Sequence, residues 1–179
     1  MYKIVITPDP VLVKRASEIK SFDRKLKKIV SEMTKTLNAT VDPIGVGLAA
    51  PQVGLSIRLF LTKPTENGPI TPFINPVILA STEPTTFKKS KKKLLEGCLS
   101  IPNIWGNVTR KKTVTVQYQD EHGKKHEKTF SGFMATILQH EIDHLDGVLF
   151  TTHVMKQGEK LYRSYKNEKD EEEFEEIKI

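Results

Sequence analysis

The sequence predicts an α+β domain: antiparallel strands gathered around one central helix, with further helices flanking them at the N- and C-terminal ends. Three observations predict it. Residues 132–145 are apolar at the 3.6-residue period (Phe133, Ile137, Leu138, Ile142 and Leu145), the pattern of a buried helix. Residues 114–130 alternate in polarity on either side of a four-residue turn, the pattern of a β-hairpin. Residues 22–37 carry an amphipathic stripe instead. No repeat or linker divides the 179 residues, a length that buries about 70% of the unfolded surface in one core.

The elements follow in chain order. In the first helix, Leu26, Ile29, Val30, Met33 and Leu37 form the apolar face, and Ser21 or Asp23 is placed to cap it. A glycine-bearing turn, Asp42-Pro43-Ile44-Gly45-Val46-Gly47, leads into Leu48-Ala49-Ala50-Pro51-Gln52. Ile57–Leu61 and Phe73–Ile78 read as buried strands. Pro76 cannot donate to a ladder, which predicts an edge position for the second. A polar stretch, residues 81–93, precedes the short apolar run around Leu94, Leu95 and Cys98. Val114, Val116 and Tyr118 mark a half-buried strand that turns at Asp120-Glu121-His122-Gly123 and pairs back as far as Phe130. After His153 a more polar helix is expected, carrying Leu161, Tyr162 and Tyr165. Residues 1–165 thus form the single domain, and 166–179 are expected as a charged tail, either a frayed helix end or disordered.

Composition narrows the class. Hydrophobic residues make up 37% and charged residues 28%, which excludes collagen-like, coiled-coil and wholly disordered chains. No apolar run approaches the roughly 20 residues that span a bilayer. The N-terminus resembles neither a signal nor a transit segment, and a single cysteine forms no intrachain disulfide. A soluble intracellular protein without membrane association is expected: cytoplasmic, or organellar if a transit segment has been removed. The net charge of +6 raises nucleic acid as a partner, but its distribution argues against DNA. Lys88, Lys89, Lys91, Lys92 and Lys93 form one compact, nearly aromatic-free cluster that reads as a solvated loop. Asp170, Glu171, Glu172, Glu173, Glu175 and Glu176 oppose it near the C-terminus.

The chemistry centres on His140-Glu141-Ile142-Asp143-His144 inside the predicted central helix. Four helical residues rotate about 400° and rise about 6 Å, so both imidazoles stand on one face and can bind one metal ion. Glu141 adjoins the first, where its carboxylate can reach a metal-bound water. Two solvent-facing histidines would be the plain alternative, but the apolar neighbours Ile137, Leu138 and Ile142 argue for burial, and buried polar groups need partners. The third ligand is open on spacing alone. A further histidine at 150 would mark one protease class, and Phe150 stands there. Glu159 or Glu168 would give a zincin-type metalloendopeptidase. Cys98, the sole thiol, flanked by Gly97 and Leu99, is the other candidate.

Gly45-Val46-Gly47-Leu48-Ala49-Ala50-Pro51-Gln52, Glu96-Gly97-Cys98-Leu99-Ser100 and Gln139-His140-Glu141-Ile142-Asp143-His144 together resemble the three signature segments of peptide deformylase, in that family's order. Phe73-Ile74-Asn75-Pro76 and Gly147-Val148-Leu149-Phe150 resemble it too, so the likeness spans about residues 3–155. It implies an enzyme that removes the formyl group from the N-terminal formyl-methionine of nascent chains, releasing formate. Cys98, His140 and His144 would hold one divalent metal, Fe(II) in the cell, with Zn(II), Ni(II) or Co(II) able to replace it. Glu141 would shuttle the proton, and the Gln52 amide and Leu99 N–H would stabilise the oxyanion. Gly45, Val46, Gly47, Glu96 and Gly97, with Phe133, Ile137 and the His140 ring, would bind the peptide and its methionine. For Phe133 and Ile137 plain core packing is an equal reading. Glu96 would orient its neighbours, and Asp143 would either support them or lie solvated. The resemblance further implies a monomer, with at most transient ribosome contact through residues 88–93 or Arg163 and Lys166. Three features depart from the family: Trp105 stands where many members place an arginine, whereas the usual second arginine is present as Arg110; Thr151-Thr152-His153-Val154 follows Phe150 where an acidic residue and leucine are usual; and the C-terminal tail is acidic.

Overall fold

In a computed structural model of the chain, which describes residues 1–83 and 95–178, two antiparallel sheets meet around one buried helix. The elements are α1 (Arg24–Asn38), β1 (Gly47–Ala49), β2 (Leu59–Thr62), β3 (Thr71–Ser81), β4 (Glu96–Cys98), β5 (Ile101–Gly106), β6 (Thr113–Gln119), β7 (Lys125–Ser131), α2 (Gly132–Leu145), α3 (Phe150–Lys156), β8 (Leu161–Lys166) and β9 (Glu172–Ile177). One sheet has the order β1-β2-β3-β6-β7 and the other β4-β5-β8-β9. No helix among the described residues is long and apolar enough to cross a membrane. The lysines at 88–93 lie outside the described residues.

The Asp23 carboxylate caps α1, accepting from the N–H groups of Lys25 and Leu26 at 2.9 and 3.0 Å. Alternation along β2 divides the core. Leu59 and Leu61 face Leu26, Val30, Met33 and Leu37 of α1, whereas Phe60 and Phe73 face Ala135, Leu138, Ile142 and Leu145 of α2. The five-stranded sheet therefore lies between α1 and α2. A third cluster, Cys98, Val108, Phe150, Val154 and Leu161, joins α3 to the four-stranded sheet.

Two expectations are corrected. Pro76 lies in the central strand of its sheet, not at an edge. The register of β3 against β6 shifts between Ile74 and Val77, and this bulge absorbs the missing donor. Asn75 adopts φ 48° there, and its side chain replaces the lost ladder: it accepts from Ile19 N–H at 2.8 Å and donates to Ile19 C=O and Gln119 Oε1 at 2.8 and 2.9 Å. The second correction concerns the C-terminus. The expected helix carrying Leu161, Tyr162 and Tyr165 is instead β8, and the acidic tail is its partner β9, in unbroken register from Leu161↔Ile177 to Lys166↔Glu172. Opposite charges and a hydrogen bond accompany the pairing: Arg163 faces Glu175, Lys160 bonds Glu176 at 2.6 Å, and the Tyr165 hydroxyl donates to Glu173 at 2.8 Å. The flanking C-terminal helix is thus only the short α3.

Candidate active site and metal centre

The i, i+4 spacing within α2 sets His140 and His144 on one face, their rings edge to face with centroids 5.0 Å apart. Cys98, at the end of β4, brings its sulfur to 3.2 Å from Nε2 of His144. One ligand atom from each of Cys98, His140 and His144 lies within 4.8 Å of the others, the one such group among the described residues. Glu159 and Glu168, the downstream glutamates open on spacing, are not part of it. The donor set fits a divalent ion: a thiolate and two imidazoles suit zinc, iron, nickel or cobalt alike. Burial raises the Cys98 thiol, yet the adjacent His144 and His140 outweigh it and bring the group well below its ordinary value, toward the thiolate a metal takes.

A buried carboxylate relay fixes His140. Its Nδ1 lies 3.1 Å from Glu96 Oε2, which leaves Nε2 for the cluster. Glu96 is clamped in turn by Arg110, whose Nε and Nη2 donate to its two oxygens at 2.8 and 2.9 Å. Arg110 also reaches Asp143 through Nη1 at 2.6 Å. Burial alone would raise Glu96, but the bonds from Arg110 and His140 prevail and leave it at about 2. Asp143 is therefore an ion-pair partner and not a solvated helix position.

Glu141 stands apart. It is buried, and its Oε2 has no hydrogen-bond partner among the described residues. Burial pushes its carboxyl up to about 7 against the pull of both imidazoles. Gly47 explains how the carboxyl fits, because a Cβ there would overlap Oε1 and lie 2.7 Å from Cδ. Gln52 sits on the 3-10 turn Ala50–Val53, where its Oε1 accepts from Ala49 N–H at 2.8 Å. That bond turns the NH₂ toward Cys98 Sγ and Ser100 Oγ, at 3.5 and 3.3 Å.

These groups open onto a cavity of about 280 Å³. Its walls include Gly45, Val46, Gly47, Gln52, Glu96, Gly97, Cys98, Leu99, Phe133, Ile137, His140 and Glu141, every residue to which the resemblance gives a catalytic, metal-binding or peptide-binding role except the buried His144. Phe133 is 48% exposed and belongs to the cavity mouth, not the core, whereas Ile137 is buried in the same wall. Sequence reasoning missed Pro43, Ile44, Leu95 and Thr136 as wall residues, and Ser100 as a neighbour of Gln52. It also assigned no task to Arg110. Nothing in the local pattern around Arg110 shows that a charge 14 residues beyond Glu96 folds back onto it.

The comparisons with known proteins agree with this geometry. A family model described as polypeptide deformylase matches residues 1–160. A peptide deformylase from Brucella suis is 44% identical over 156 residues, covering 86% of this chain and 84% of that one. The peptide deformylase of Dehalococcoides mccartyi is 38% identical over 152 residues, 85% of each chain. Among solved structures, the peptide deformylase from Thermotoga maritima superposes with a TM-score of 0.75 at 40% identity, covering 86% of this chain and 97% of its own. That from Legionella pneumophila gives 0.76 at 38%, over 86% and 85%. With the family model covering most of the chain and relatives well above 30% identity along its length, the chain belongs to the polypeptide deformylase family.

Proposed function

We propose that this enzyme hydrolyses the formyl amide of N-terminal formyl-methionyl peptides, releasing formate and a free α-amine. The observation that carries the reading is the Cys98, His140 and His144 group, buried except for the half-buried His140, with Glu141 facing the same cavity. The three ligands would hold one divalent ion, Fe(II) by family resemblance, with Zn(II), Ni(II) and Co(II) accepted by the same donors. When bound, that ion supplies Lewis-acid chemistry, acidifying water and polarising the formyl carbonyl. Glu141 takes the proton of the water that attacks the formyl carbon, and returns it to the departing amine as the C–N bond breaks. Gln52 Nε2 and the Leu99 N–H donate to the oxygen that gains charge. Glu96 and Arg110 keep His140 oriented and take no proton.

The peptide would lie extended along β4 and the segment at Val46, where backbone contacts accept any sequence. Its methionine would enter between Phe133, Ile137 and the His140 ring. The test is formate release from formyl-Met-Ala-Ser, using protein prepared without oxygen and loaded separately with Fe(II), Ni(II) and Zn(II). Metal-dependent release that falls by roughly 10²–10⁴ in Glu141→Gln is expected. Absence of release from every metal-loaded form would overturn the reading.

A further inference from the structure

We infer that Trp105 is the specificity-determining wall for the residue that follows the methionine, and that the β8–β9 hairpin holds it in place. The inference deepens the deformylase reading and rests on it. Trp105 sits on β5 between β4 and β8, half-buried, with its ring among the cavity walls. Its six-membered ring covers Gly97: a Cβ on that glycine would lie 2.7 Å from two ring carbons and 3.0 Å from a third. On its other side the indole N–H donates to Ser164 Oγ at 3.0 Å, and Phe174 meets the ring edge-on at 5.9 Å and 82°.

Register explains the arrangement. Gly97, Trp105, Tyr162 and Glu176 are successive cross-strand partners, so they share one face of the sheet. Ser164 and Phe174 lie two residues along on that same face. The indole is thus gripped from two strands, and its flat apolar surface borders β4 one residue from Cys98. Both anchors lie in residues 161–177, beyond the span that the family model matches. This chain therefore supplies the grip from its own C-terminal segment.

A rigid aromatic surface rewards a flat or apolar side chain with stacking and gives a small or acidic one nothing in return. Formyl-Met-Phe-Ser should therefore exceed formyl-Met-Ala-Ser in kcat/KM by roughly 5- to 10-fold, the order an aromatic pair contributes. Trp105→Ala should bring that ratio below about 2, and Trp105→Phe should restore most of it. Ser164→Ala and Phe174→Ala should lower the ratio through KM for the phenylalanine peptide, leaving kcat largely in place, as positioning residues would. A ratio near one in the unmodified enzyme, or one that survives Trp105→Ala, overturns the inference.

Trp105 is the sole tryptophan, so its emission reports on the wall directly. In the Zn(II)-loaded Glu141→Gln enzyme, adding formyl-Met-Phe-Ser should shift that emission more than adding formyl-Met-Ala-Ser. Equal responses count against the wall even if Trp105→Ala fails to fold. Absence of formate from both peptides with the unmodified, metal-loaded enzyme would strike the deformylase reading instead, and the emission would still test the wall.

Discussion

Gly47→Ala should disable the enzyme without unfolding it. The added Cβ would overlap Glu141 Oε1 and lie 2.7 Å from Cδ and 3.0 Å from Cγ. Carbon atoms pack at roughly 3.5–4.0 Å, so the carboxyl group must retreat by about 1 Å. It cannot do so cheaply, because Glu141 is buried on α2 with His140 and His144 on either side of it along the helix. A misplacement of about 1 Å of a reacting group costs on the order of 10²-fold in rate. Strand β1 itself should tolerate the change, since its pairing to β2 uses the Gly47 backbone opposite Thr62 and no side chain. The assay is kcat and KM for formyl-Met-Ala-Ser with metal content measured on the same sample. The expected result is full metal occupancy, a kcat lowered about 10²-fold and a smaller change in KM. A kcat within about threefold of the unmodified enzyme at full occupancy would refute the placement of Glu141 as the proton carrier.

Other predictions concern stability and metal. Glu96 is held at about 2 in the fold, below its ordinary 4.5, so it contributes stability above pH 4.5 that is lost as pH falls toward 2. Integrated over that window the effect is on the order of 3 kcal/mol; urea titrations between pH 5 and 3 should show the slope, and Glu96→Gln should flatten it. Removing the metal should lower the melting temperature by roughly 10 °C, because an ion present at about 1,000 times its Kd contributes about 4 kcal/mol; unchanged melting after chelation would count against a bound ion. Cys98→Ser should weaken zinc retention through dialysis, a result a zincin-type site with a glutamate ligand would not give. Phe73→Ala, at the centre of an aromatic cluster with Phe60, Tyr118 and Phe130, should cost about 3–5 kcal/mol in urea unfolding.

What the sequence reveals of the fold depends on how local each signal is. The apolar period of residues 132–145 needs no partner to be read, and α2 spans those residues. The β6–β7 hairpin is similarly local, its turn written in Asp120–Gly123. Pro76 shows where local rules fail. The absence of a donor is visible in the sequence, but the compensation comes from Asn75, Ile19 and Gln119, which are brought together only by tertiary structure. The C-terminal hairpin fails for the same reason. Taken singly, residues 161–166 look amphipathic and 170–176 look like a solvated acidic run; only when they are paired do the charges of one strand answer those of the other.

The site divides along the same line. His140, Glu141 and His144 share one helix, so their common face follows from geometry before any tertiary contact is known. Cys98 and Gln52 lie on other elements, and only a resemblance carried by whole segments ties them to that face. Arg110 lies one step further out. It bonds to none of Cys98, His140 and His144, but its guanidinium keeps Glu96 charged, and Glu96 selects which nitrogen His140 presents to the cluster. The helical spacing sets how far apart the two histidines stand, while the ion pair sets which atom of His140 points inward. Arg110→Met should therefore weaken metal retention without removing a ligand. It leaves a buried carboxylate without its cation, so Glu96 should take up a proton at higher pH and loosen its hold on Nδ1 of His140. Zinc loss through dialysis at pH 5 should exceed that of the unmodified enzyme by at least tenfold, and equal retention would show that His140 is oriented by the helix alone.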